Sequence, residues 1–382
     1  MNIPICCICF DRINSLKRLL KSLENADYDG FNPTLIISID KSNTSEVEIF
    51  AKSYSWPYGK KIVYTHQENL GLRRHVLECG NRIIDYDGMI VLEDDIIVSP
   101  GFYQFAQNTL SFYQKDKNIA GISLYSFRIN YQTLTPFIPI KGNSDVYFMK
   151  CAQSWGQVWI KERWIEFYQW YINNDEEFKD NGILPKSICS WPKSSWLKYH
   201  TRYCIEKNKY FVYPYTSLSS NNSDAGTHVD KKDATFQVPL QLGSKKTYSL
   251  QELNDPYSIR YDGFFESENI IESLKEYKNI CINFYGQKNI LNYRYVLSIA
   301  SLPFKVERSW ALSLRPVELN VILNQDGKGV FLYDTDSCAK GPEIDVIYNQ
   351  NFIWNIPSII HTAKSIGLRN ILKSYINNHF VK

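Results

Sequence analysis

Apolar runs and amphipathic stretches alternate along the first hundred residues of the chain. The apolar runs predict β-strands, and the stretches between them carry apolar residues at helical spacing. Leu16, Leu19, Leu20 and Leu23, for example, would share one face of a helix. The predicted strands cover residues 3–10, 33–40, 61–65 and a run that starts at 89, and the predicted helices cover 14–26, 45–54 and 72–85. This alternation predicts an α/β fold with a mostly parallel central sheet and flanking helices.

The pattern changes twice further along the chain. A helix over 102–113 and a strand over 120–125 continue the first module, whereas the polar stretch 244–256 resembles a linker. Short strand-like runs and a final amphipathic segment follow it. We therefore expect a main domain over 1–240, with a first part over 1–100 and a second part over 100–240, and a smaller C-terminal α+β module over 241–382.

The run that starts at residue 89 ends in the three consecutive carboxylates Glu93, Asp94 and Asp95, which we call the acid triplet. Acids at the end of a buried strand are costly unless they are paired, hydrogen-bonded or bound to a metal. In an open α/β sheet, ligands bind at that same end of the strands. The alternative is an exposed acidic turn between two strands. The triplet nevertheless favours a site for a divalent cation that shares oxygens with a diphosphate.

Polar residues also follow the first two predicted strands. Asp11 and Arg12 come after the first strand, and Asp40 and Lys41 after the second. No G-x-G-x-x-G motif follows the first strand, which disfavours a dinucleotide fold. Polar groups at neighbouring strand ends indicate a nucleotide site without a glycine loop.

Composition narrows the class of protein. The 382 residues hold 43 Lys plus Arg and 40 Asp plus Glu, a balance that gives no reason to expect nucleic acid as a partner. No apolar run reaches the roughly 18 residues of a membrane span, and no charged leader precedes Ile3. The nine cysteines are scattered, and we expect them to be reduced and mostly buried in a cytoplasmic protein.

Seven segments, in this order, resemble the GT-A nucleotide-sugar transferases, especially the N-acetylglucosaminyltransferase I type and bacterial family-2-like polysaccharide enzymes. The segments are Pro4 to Arg12, Ile37 to Asp40, Arg74-His75, Val91 to Asp95 with Pro100-Gly101-Phe102, Ser154-Trp155-Gly156, Trp191-Pro192-Lys193 with Trp196, and Gly226-Thr227-His228. The resemblance covers about residues 3 to 230 and leaves 240–382 uncovered.

The resemblance implies roles at the matching positions on the donor side. Arg12 would face the diphosphate, although an arginine at a helix start is often only a surface ion-pair partner. Asp40 would bond the uracil or ribose, or else cap a helix. Arg74 and His75 would line the nucleotide side. Asp95 would bind Mn²⁺ or Mg²⁺. In the same triplet, Asp94 would contact the ribose or the sugar, and Glu93 the transferred sugar.

On the acceptor side, the resemblance assigns Trp155, Gly156 and Trp196 to sugar contacts. Among the tryptophans from 155 onward, Trp155 is expected in the site and most others in the core. The polar stretch 217–232 predicts a loop, which the resemblance places over the donor with His228 near the diphosphate or the metal. A lone histidine is more often structural or solvated.

One departure from the family pattern concerns the catalytic base. In the N-acetylglucosaminyltransferase I pattern, an aspartate follows the Trp-Pro-Lys-x-x-Trp segment at once. Here Trp196 is followed by Leu197, Lys198 and Tyr199. An inverting transfer needs a base near the acceptor hydroxyl. The candidates in the sequence are Glu162, Glu166, Asp175, Glu176, Glu177 and Asp180, and each could equally be a solvated acid.

The sequence thus predicts a metal-dependent glycosyltransferase, a hexosyl- or N-acetylhexosaminyltransferase with a UDP-sugar donor and a saccharide acceptor. The expected setting is bacterial surface polysaccharide synthesis (O-antigen or capsule), with a lipid-linked acceptor as one form. The alternative is a non-catalytic homologue that binds nucleotide sugars. Residues 359–382 combine cationic residues with an apolar stripe, which suits a membrane-surface helix at the inner face of the cytoplasmic membrane. Packing onto the catalytic module or onto a second subunit is an equal alternative.

Overall fold

The structure is a computed structural model that describes residues 1–180, 182–223, 233–354 and Gly367. Strands and helices alternate in its first hundred residues as the sequence predicts. The strands are β1 (Ile5–Cys9), β2 (Leu35–Ile39), β3 (Lys61–Thr65) and β4 (Gly88–Glu93), and the helices are α1 (Ile13–Glu24), α2 (Glu46–Ser53) and α3 (Gly71–Asn81). The predicted helix 72–85 ends early, because its last turn tightens into a 3₁₀ helix over Arg82–Asp85.

Packing explains why these segments fold as predicted. The four leucines of α1 are fully buried against the sheet, and all five residues of both β1 and β2 are buried. β1 pairs in parallel with β2 and β4, and β2 pairs in parallel with β3. All four strands therefore end at the same edge of the sheet, which we call the carboxyl edge.

The chain from 94 to 223 adds four strands to this sheet and forms two small two-stranded sheets, β12-β5 and β7-β8. The strands of this part of the chain are β5 (Ile96–Val98), β6 (Ile119–Ser123), β7 (Ile129–Asn130), β8 (Thr135–Pro136), β9 (Val146–Met149), β10 (Gln157–Ile160), β11 (Tyr210–Pro214) and β12 (Ser219–Asn221). Its helices are α4 (Phe102–Tyr113), α5 (Lys161–Tyr171), α6 (Lys186–Ser190) and α7 (Leu197–Glu206). The predicted helix 102–113 is confirmed in full.

The C-terminal part of the described chain forms a second, smaller sheet. The elements of this part of the chain are β13 (Arg260–Tyr261), α8 (Ile270–Ser273), β14 (Ile280–Ile282), β15 (Tyr295–Ser298), β16 (Phe304–Trp310), α9 (Glu318–Ile322), β17 (Val330–Cys338) and α10 (Val346–Trp354). Strands β14, β15, β17 and β16 form this sheet in that order. Its core is separate from the cores of the main sheet.

The central sheet has nine strands in the order β13-β9-β11-β6-β10-β4-β1-β2-β3. Five of its eight pairings are parallel. The three antiparallel pairings are those of β10 with β4, β10 with β6, and β11 with β9. The predicted α/β class with a mostly parallel sheet is confirmed. Two hydrophobic cores cover the two faces, with Cys7 and Cys9 in one and Cys6 in the other. Alternation along β1 explains why Cys6 and Cys9 face opposite sides. All nine cysteines are free thiols, and most are buried.

The predicted domain boundary at 240 lies too early. β13 pairs with β9 and so belongs to the central sheet. The expected linker also lies on the main module, since the Ser249 carbonyl accepts the Asp145 N–H and the Gln251 carbonyl accepts the Tyr113 hydroxyl. The sequence could not show this, because a polar stretch satisfies its backbone equally well on a surface or in a free linker.

No helix in the part of the chain that the structure describes is long and apolar enough to cross a bilayer. The predicted amphipathic tail at 359–382 lies outside the described residues, apart from Gly367.

Candidate active site

Charged side chains converge at the carboxyl edge of the sheet. β1 and β4 are neighbours in register, with Ile8 opposite Glu93. The chain leaves β1 through Arg12, directly before the first turn of α1, and leaves β4 through the acid triplet. Parallel pairing thus places Arg12 next to the triplet, although 81 positions separate Arg12 from Glu93 in the sequence.

The Arg12 guanidinium forms ion pairs with two acids of the triplet. Its Nη2 donates to Asp94 Oδ1 and its Nη1 to Asp95 Oδ2, the latter at 3.4 Å. Burial raises the pKa of Asp94 to about 6, although the Arg12 charge lowers it. The side chain of Arg12 is 28% exposed, whereas that of Asp94 is 4% exposed. Arg12 therefore reaches from the buried acids toward solvent, where a ligand can meet it.

Glu93 is the most strongly perturbed acid of the triplet. Burial, together with repulsion from Asp95 and Asp94, raises the pKa of Glu93 to about 8. The indole of Trp196 donates a hydrogen bond to its carboxylate. An acid with such a pKa, held by a fixed donor at a strand end, is typical of functional sites.

Asp95 carries an oxygen that its surroundings leave unpaired. Its Oδ1 is buried and has no hydrogen-bond partner in the described part of the chain, while its backbone carbonyl accepts the Asn222 N–H at 2.8 Å. β12 pairs with β5, so the segment ending at Asn222 lies beside the triplet. A buried acceptor without a partner is costly, and a bound cation would satisfy it.

These residues fit a divalent metal that is held jointly with a ligand. The described residues contain no group of three or more His, Cys, Asp or Glu side chains arranged to hold an ion alone. Mg²⁺ and similar cations often use one or two carboxylates and take further oxygens from substrate phosphates. Asp95 supplies one such carboxylate. His228, the second predicted ligand, lies outside the described residues.

Asp40 lies at the same edge and caps α3. Its Oδ1 accepts the N–H groups of Lys41 and Leu70, both at 2.8 Å, and its Oδ2 accepts that of Gly71 at 2.9 Å. The carboxylate therefore satisfies N–H groups at the start of a helix distant in sequence, where the helix dipole favours negative charge. The capping alternative is thus present, and a contact from Asp40 to a nucleotide stays a prediction.

The structure separates Arg74 and His75, which the sequence assigned together to the nucleotide side. Arg74 is exposed and pairs with the exposed Glu68 at 3.0 Å. His75 is 2% exposed and its Nε2 lies 2.8 Å from Ser38 Oγ. The His75 side chain packs between α3 and β2. Its predicted contact with a nucleotide stays a prediction. Helical spacing alone could not show which neighbour faced inward.

Arg73, which the sequence analysis did not select, faces the acceptor side. Its Nη1 donates to the Tyr199 hydroxyl at 2.9 Å, and its guanidinium lies over the rings of Tyr199 and Tyr171. Tyr199 is on α7, three positions after Trp196, whose indole bonds Glu93. The cluster of basic residues at 73 and 74 was the only signal in the sequence.

The aromatic residues predicted to bind sugar divide into two groups. Trp155 is half-buried, in edge contact with Tyr125 at 4.9 Å between ring centroids, and its role as a sugar platform stays a prediction. Trp196 is 2% exposed and its indole donates to Glu93, while its contact with a sugar stays a prediction. Gly156 has φ +94°, and a Cβ there would meet Ser219 Oγ at 2.7 Å. Glycine therefore permits the close approach of β12 to this turn.

Strand direction decides among the candidate bases. β10 runs antiparallel to β4, with Ile160 opposite Gly88. Glu162 follows Ile160 and thus lies near the start of β4, about 16 Å from the triplet at ~3.3 Å per residue. Glu162 is therefore wrong as a base. Glu166, on the same helix, is engaged by Arg163 at 2.9 Å.

The acids Asp175, Glu176 and Glu177 follow α5 in the chain. All three are exposed, and Asp175 and Glu177 act electrostatically on Tyr199. These acids remain the candidates, together with the exposed Asp180.

Of the comparisons with known proteins, the comparison with solved structures gave matches. No family model matches the sequence, and no curated protein matches it. TarS residues 1–349 of S. aureus aligns at 10% identity and a TM-score of 0.34, covering 58% of this chain and 61% of that one. GalNAc-T7 with UDP, GalNAc and Mn²⁺ aligns at 12% identity and a TM-score of 0.38, covering 56% and 43%.

A mannosyltransferase, PcManGT from Pyrobaculum calidifontis in complex with GDP-Man and Mn²⁺, aligns at 10% identity and a TM-score of 0.34, covering 56% of this chain and 57% of that one. These structures are glycosyltransferases of the GT-A class, and the alignments span less than two thirds of each. At such TM-scores the likeness supports no residue role. The residue roles rest on the geometry described above.

Proposed function

We propose that the protein is a metal-dependent glycosyltransferase that moves a sugar from a nucleotide donor, a UDP-sugar, to a saccharide acceptor. The observation that carries the proposal is the meeting of Arg12 with the acid triplet at the carboxyl edge, beside the unpaired Asp95 Oδ1. One guanidinium and one unsatisfied carboxylate side by side suit a diphosphate with its cation better than either partner alone.

The leaving group of this reaction is a nucleoside diphosphate, so its negative charge must be stabilised as the glycosidic bond breaks. Arg12 can donate paired hydrogen bonds to phosphate oxygens, and the N-terminus of α1 directs its dipole to the same place. Asp95 would hold Mn²⁺ or Mg²⁺, which neutralises charge on the diphosphate. Leaving-group stabilisation is thus assigned to the ends of β1 and β4.

The sugar itself needs hydrogen-bond partners of fixed direction. Glu93, held by Trp196, and Asp94, held by Arg12, offer carboxyl groups that suit sugar or ribose hydroxyls. Trp155 would offer an apolar ring to the apolar face of the sugar. Fixing the donor in this way favours attack on the anomeric carbon over random encounter.

The base that deprotonates the acceptor hydroxyl would come from Asp175, Glu176 or Glu177. These acids lie at the carboxyl edge near Tyr199, and their exposure lets them reach an acceptor that arrives from solvent. An inverting transfer follows from a base on the face opposite the leaving group.

A non-catalytic nucleotide-sugar-binding protein is the second candidate. It is favoured by the residues directly after Trp196, since α7 begins with Leu197, Lys198 and Tyr199, none of which is an acid. The donor side would then bind without turnover.

The setting of the reaction is proposed on weaker ground. No acidic residue occurs from position 346 to the last residue, 382, and this stretch holds Lys364, Arg369, Lys373 and Lys382. Such a segment suits contact with anionic lipid at the inner face of the cytoplasmic membrane, where a lipid-linked acceptor for surface polysaccharide would be met.

The decisive experiment measures UDP release from UDP-glucose, UDP-galactose, UDP-GlcNAc and UDP-GalNAc, with Mn²⁺ or with a chelator. We expect slow hydrolysis of one donor that depends on the metal. Glu93→Gln should lower this rate at least tenfold, since it removes a carboxylate at the sugar. Glu162→Gln is the matched control and should leave the rate unchanged, because Glu162 lies at the opposite edge.

Two outcomes would decide against the enzyme. Tight Mn²⁺-dependent UDP binding without turnover, in the presence of saccharide acceptors, would favour the binding protein. An equal loss of activity in Glu93→Gln and Glu162→Gln would show that the acid triplet has no specific part in the reaction.

A further inference from the structure

A cleft of about 510 Å³ opens between the main module and the C-terminal sheet, away from the acid triplet. Leu184 and Lys186 line one wall, segment 286–290 lines the other, and Phe264 lies between them. The volume falls within the roughly 300–1,000 Å³ of small-molecule sites, which often occur where two modules meet.

Buried polar contacts fix the wall and floor of this cleft. Lys288 pairs with Asp262 at 2.5 Å, and its backbone N–H donates to Asn283 Oδ1 at 3.1 Å. The Tyr285 N–H donates to Glu266 Oε1 at 2.9 Å. Because these contacts join the two modules, the cleft has a defined shape before any ligand arrives.

The chemistry of the lining fits a neutral, hydroxyl-rich ligand. The charge of Lys288 is balanced by Asp262, and Lys186 faces the same cleft as Asp180. A phosphate-rich ligand would find no excess of positive charge here.

Amide groups and a ring supply the remaining contacts. Gln287 uses its Nε2 on the Tyr285 carbonyl, and Asn289 uses its Oδ1 on the Leu291 N–H. The Gln287 oxygen and the Asn289 nitrogen can therefore serve a ligand, and Phe264 offers apolar surface. Amides beside an aromatic ring match the alternating hydroxyl and C–H surfaces of a sugar.

Packed side chains connect the cleft to the acid triplet through the interior of the main module. From Glu93 the contacts run through Trp196 and α7 to Lys198, whose Nζ donates to the Trp191 carbonyl at 2.9 Å. The Trp191 ring contacts Tyr131 at 5.5 Å, and Tyr131 contacts Phe265, next to Phe264, at 5.3 Å. Because Trp196, Lys198 and Phe265 are buried, these contacts hold the cleft and the triplet in a fixed relative position.

We propose that the cleft binds sugar units of the saccharide acceptor that lie several units away from the reacting hydroxyl. This inference rests on the proposed glycosyltransferase function and names a second part of its acceptor site. Contacts to such remote units add binding energy that helps to position the reacting end.

The test uses the full chain with selectively labelled Ile and Leu methyl groups, without donor or metal. The probes are free glucose, galactose, mannose, rhamnose and N-acetylglucosamine, each titrated to about 100 mM, since weak millimolar binding corresponds to only about 4 kcal/mol. We expect at least one sugar to shift the methyl signals of Ile290 and Leu184 saturably. Asn289→Ala should weaken that binding at least fivefold, whereas Asn292→Ala, an exposed asparagine outside the cleft, should not.

Three results would overturn the inference. They are the absence of a saturable shift with all five sugars, an equal response in Asn289→Ala and Asn292→Ala, and saturation by inorganic phosphate in place of the sugars. Since the titration needs neither donor nor turnover, its failure leaves UDP-sugar hydrolysis intact as evidence, and failed hydrolysis leaves the titration readable.

Discussion

The molecule contains two buried acidic clusters, and they differ in their access to solvent. The acid triplet lies where β4 ends, with the side chains of Arg12 and Asp95 28% and 23% exposed. The junction cluster, which we define as Asp262, Glu266, Lys288 and Glu318, lies between the two modules, where Glu266 is 1% and Glu318 4% exposed. Each cluster combines three carboxyl groups with one basic side chain.

The electrostatics of the two clusters are similar. Burial raises the pKa of Glu93 and of Glu266 to about 8. Each cluster also holds one unpaired buried oxygen, Asp95 Oδ1 in the triplet and Glu266 Oε2 in the junction. A raised pKa and an unpaired oxygen therefore do not by themselves distinguish a binding site from a structural contact. Access of the acid that holds the unpaired oxygen does distinguish them, because the side chain of Asp95 is partly exposed, whereas Glu266 is sealed between the modules.

This comparison predicts that changes in the junction cluster alter stability and that changes in the triplet alter binding. The largest effect is expected for Asp262→Asn, which removes one charge from the pair with Lys288 while keeping an oxygen for the N–H groups of Phe264 and Glu266. Breaking a mostly buried pair should lower the free energy of unfolding by about 2–3 kcal/mol. Urea denaturation measures it.

The companion measurement for Asp262→Asn is UDP affinity with Mn²⁺, which should not change. A variant that is as stable as the wild type but binds UDP poorly would reverse the assignment of the two clusters.

The second prediction concerns Asp95→Ala. Loss of the proposed metal carboxylate should weaken Mn²⁺-dependent UDP binding about 10–100-fold, the range seen for disturbed metal sites. Stability should stay level or rise slightly, because one of three repelling acids is removed. Calorimetric titration of UDP with and without Mn²⁺ checks the binding, and an unchanged affinity would rule out Asp95 as a ligand.

The third prediction is smaller and tests geometry at constant charge. Arg12→Lys should lower UDP affinity about tenfold, since an ammonium group cannot make the paired hydrogen bonds of a guanidinium. Arg74→Lys is the matched control and should bind UDP normally, because Arg74 is exposed and paired with Glu68. If calorimetry showed that Arg74→Lys weakens UDP binding more than Arg12→Lys does, the diphosphate would instead be assigned to a site near α3.

The smallest effect is a pH dependence of stability that comes from the junction. Burial raises the pKa of Glu266 from 4.5 to about 8 and that of Glu318 to about 7. At a pH between the ordinary pKa of 4.5 and these raised values, the two glutamates keep their protons in the folded state but lose them in the unfolded chain. The free energy of unfolding should therefore fall as the pH rises from about 5 to 8.

Glu266→Gln cannot titrate, so it should flatten this fall by about 1–2 kcal/mol. Urea denaturation at pH 5, 6.5 and 8 provides the comparison, with Glu272→Gln, an exposed glutamate on α8, as the control. Parallel pH profiles for Glu266→Gln and the wild type would show that Glu266 is not the titrating group.

Local patterns in the sequence determined the first half of the fold and the centre of the site. The leucine spacing of α1 and the apolar runs of β1 to β4 predicted their elements, because periodicity reports which face is buried. Polar residues after several predicted parallel strands were enough to predict a ligand site at one edge of the sheet, since parallel strands end at one edge. The pairing of β1 with β4 then brought Arg12 to the acid triplet.

Tertiary structure alone decided the features that depend on contacts between distant segments. The antiparallel course of β10 moved Glu162 to the wrong edge, and the pairing of β13 with β9 carried the main sheet past residue 240. Burial placed Trp196, for which the sequence predicted only a sugar contact, against Glu93. Strand direction and burial arise from pairing between segments far apart in the chain, and local periodicity carries no record of that pairing.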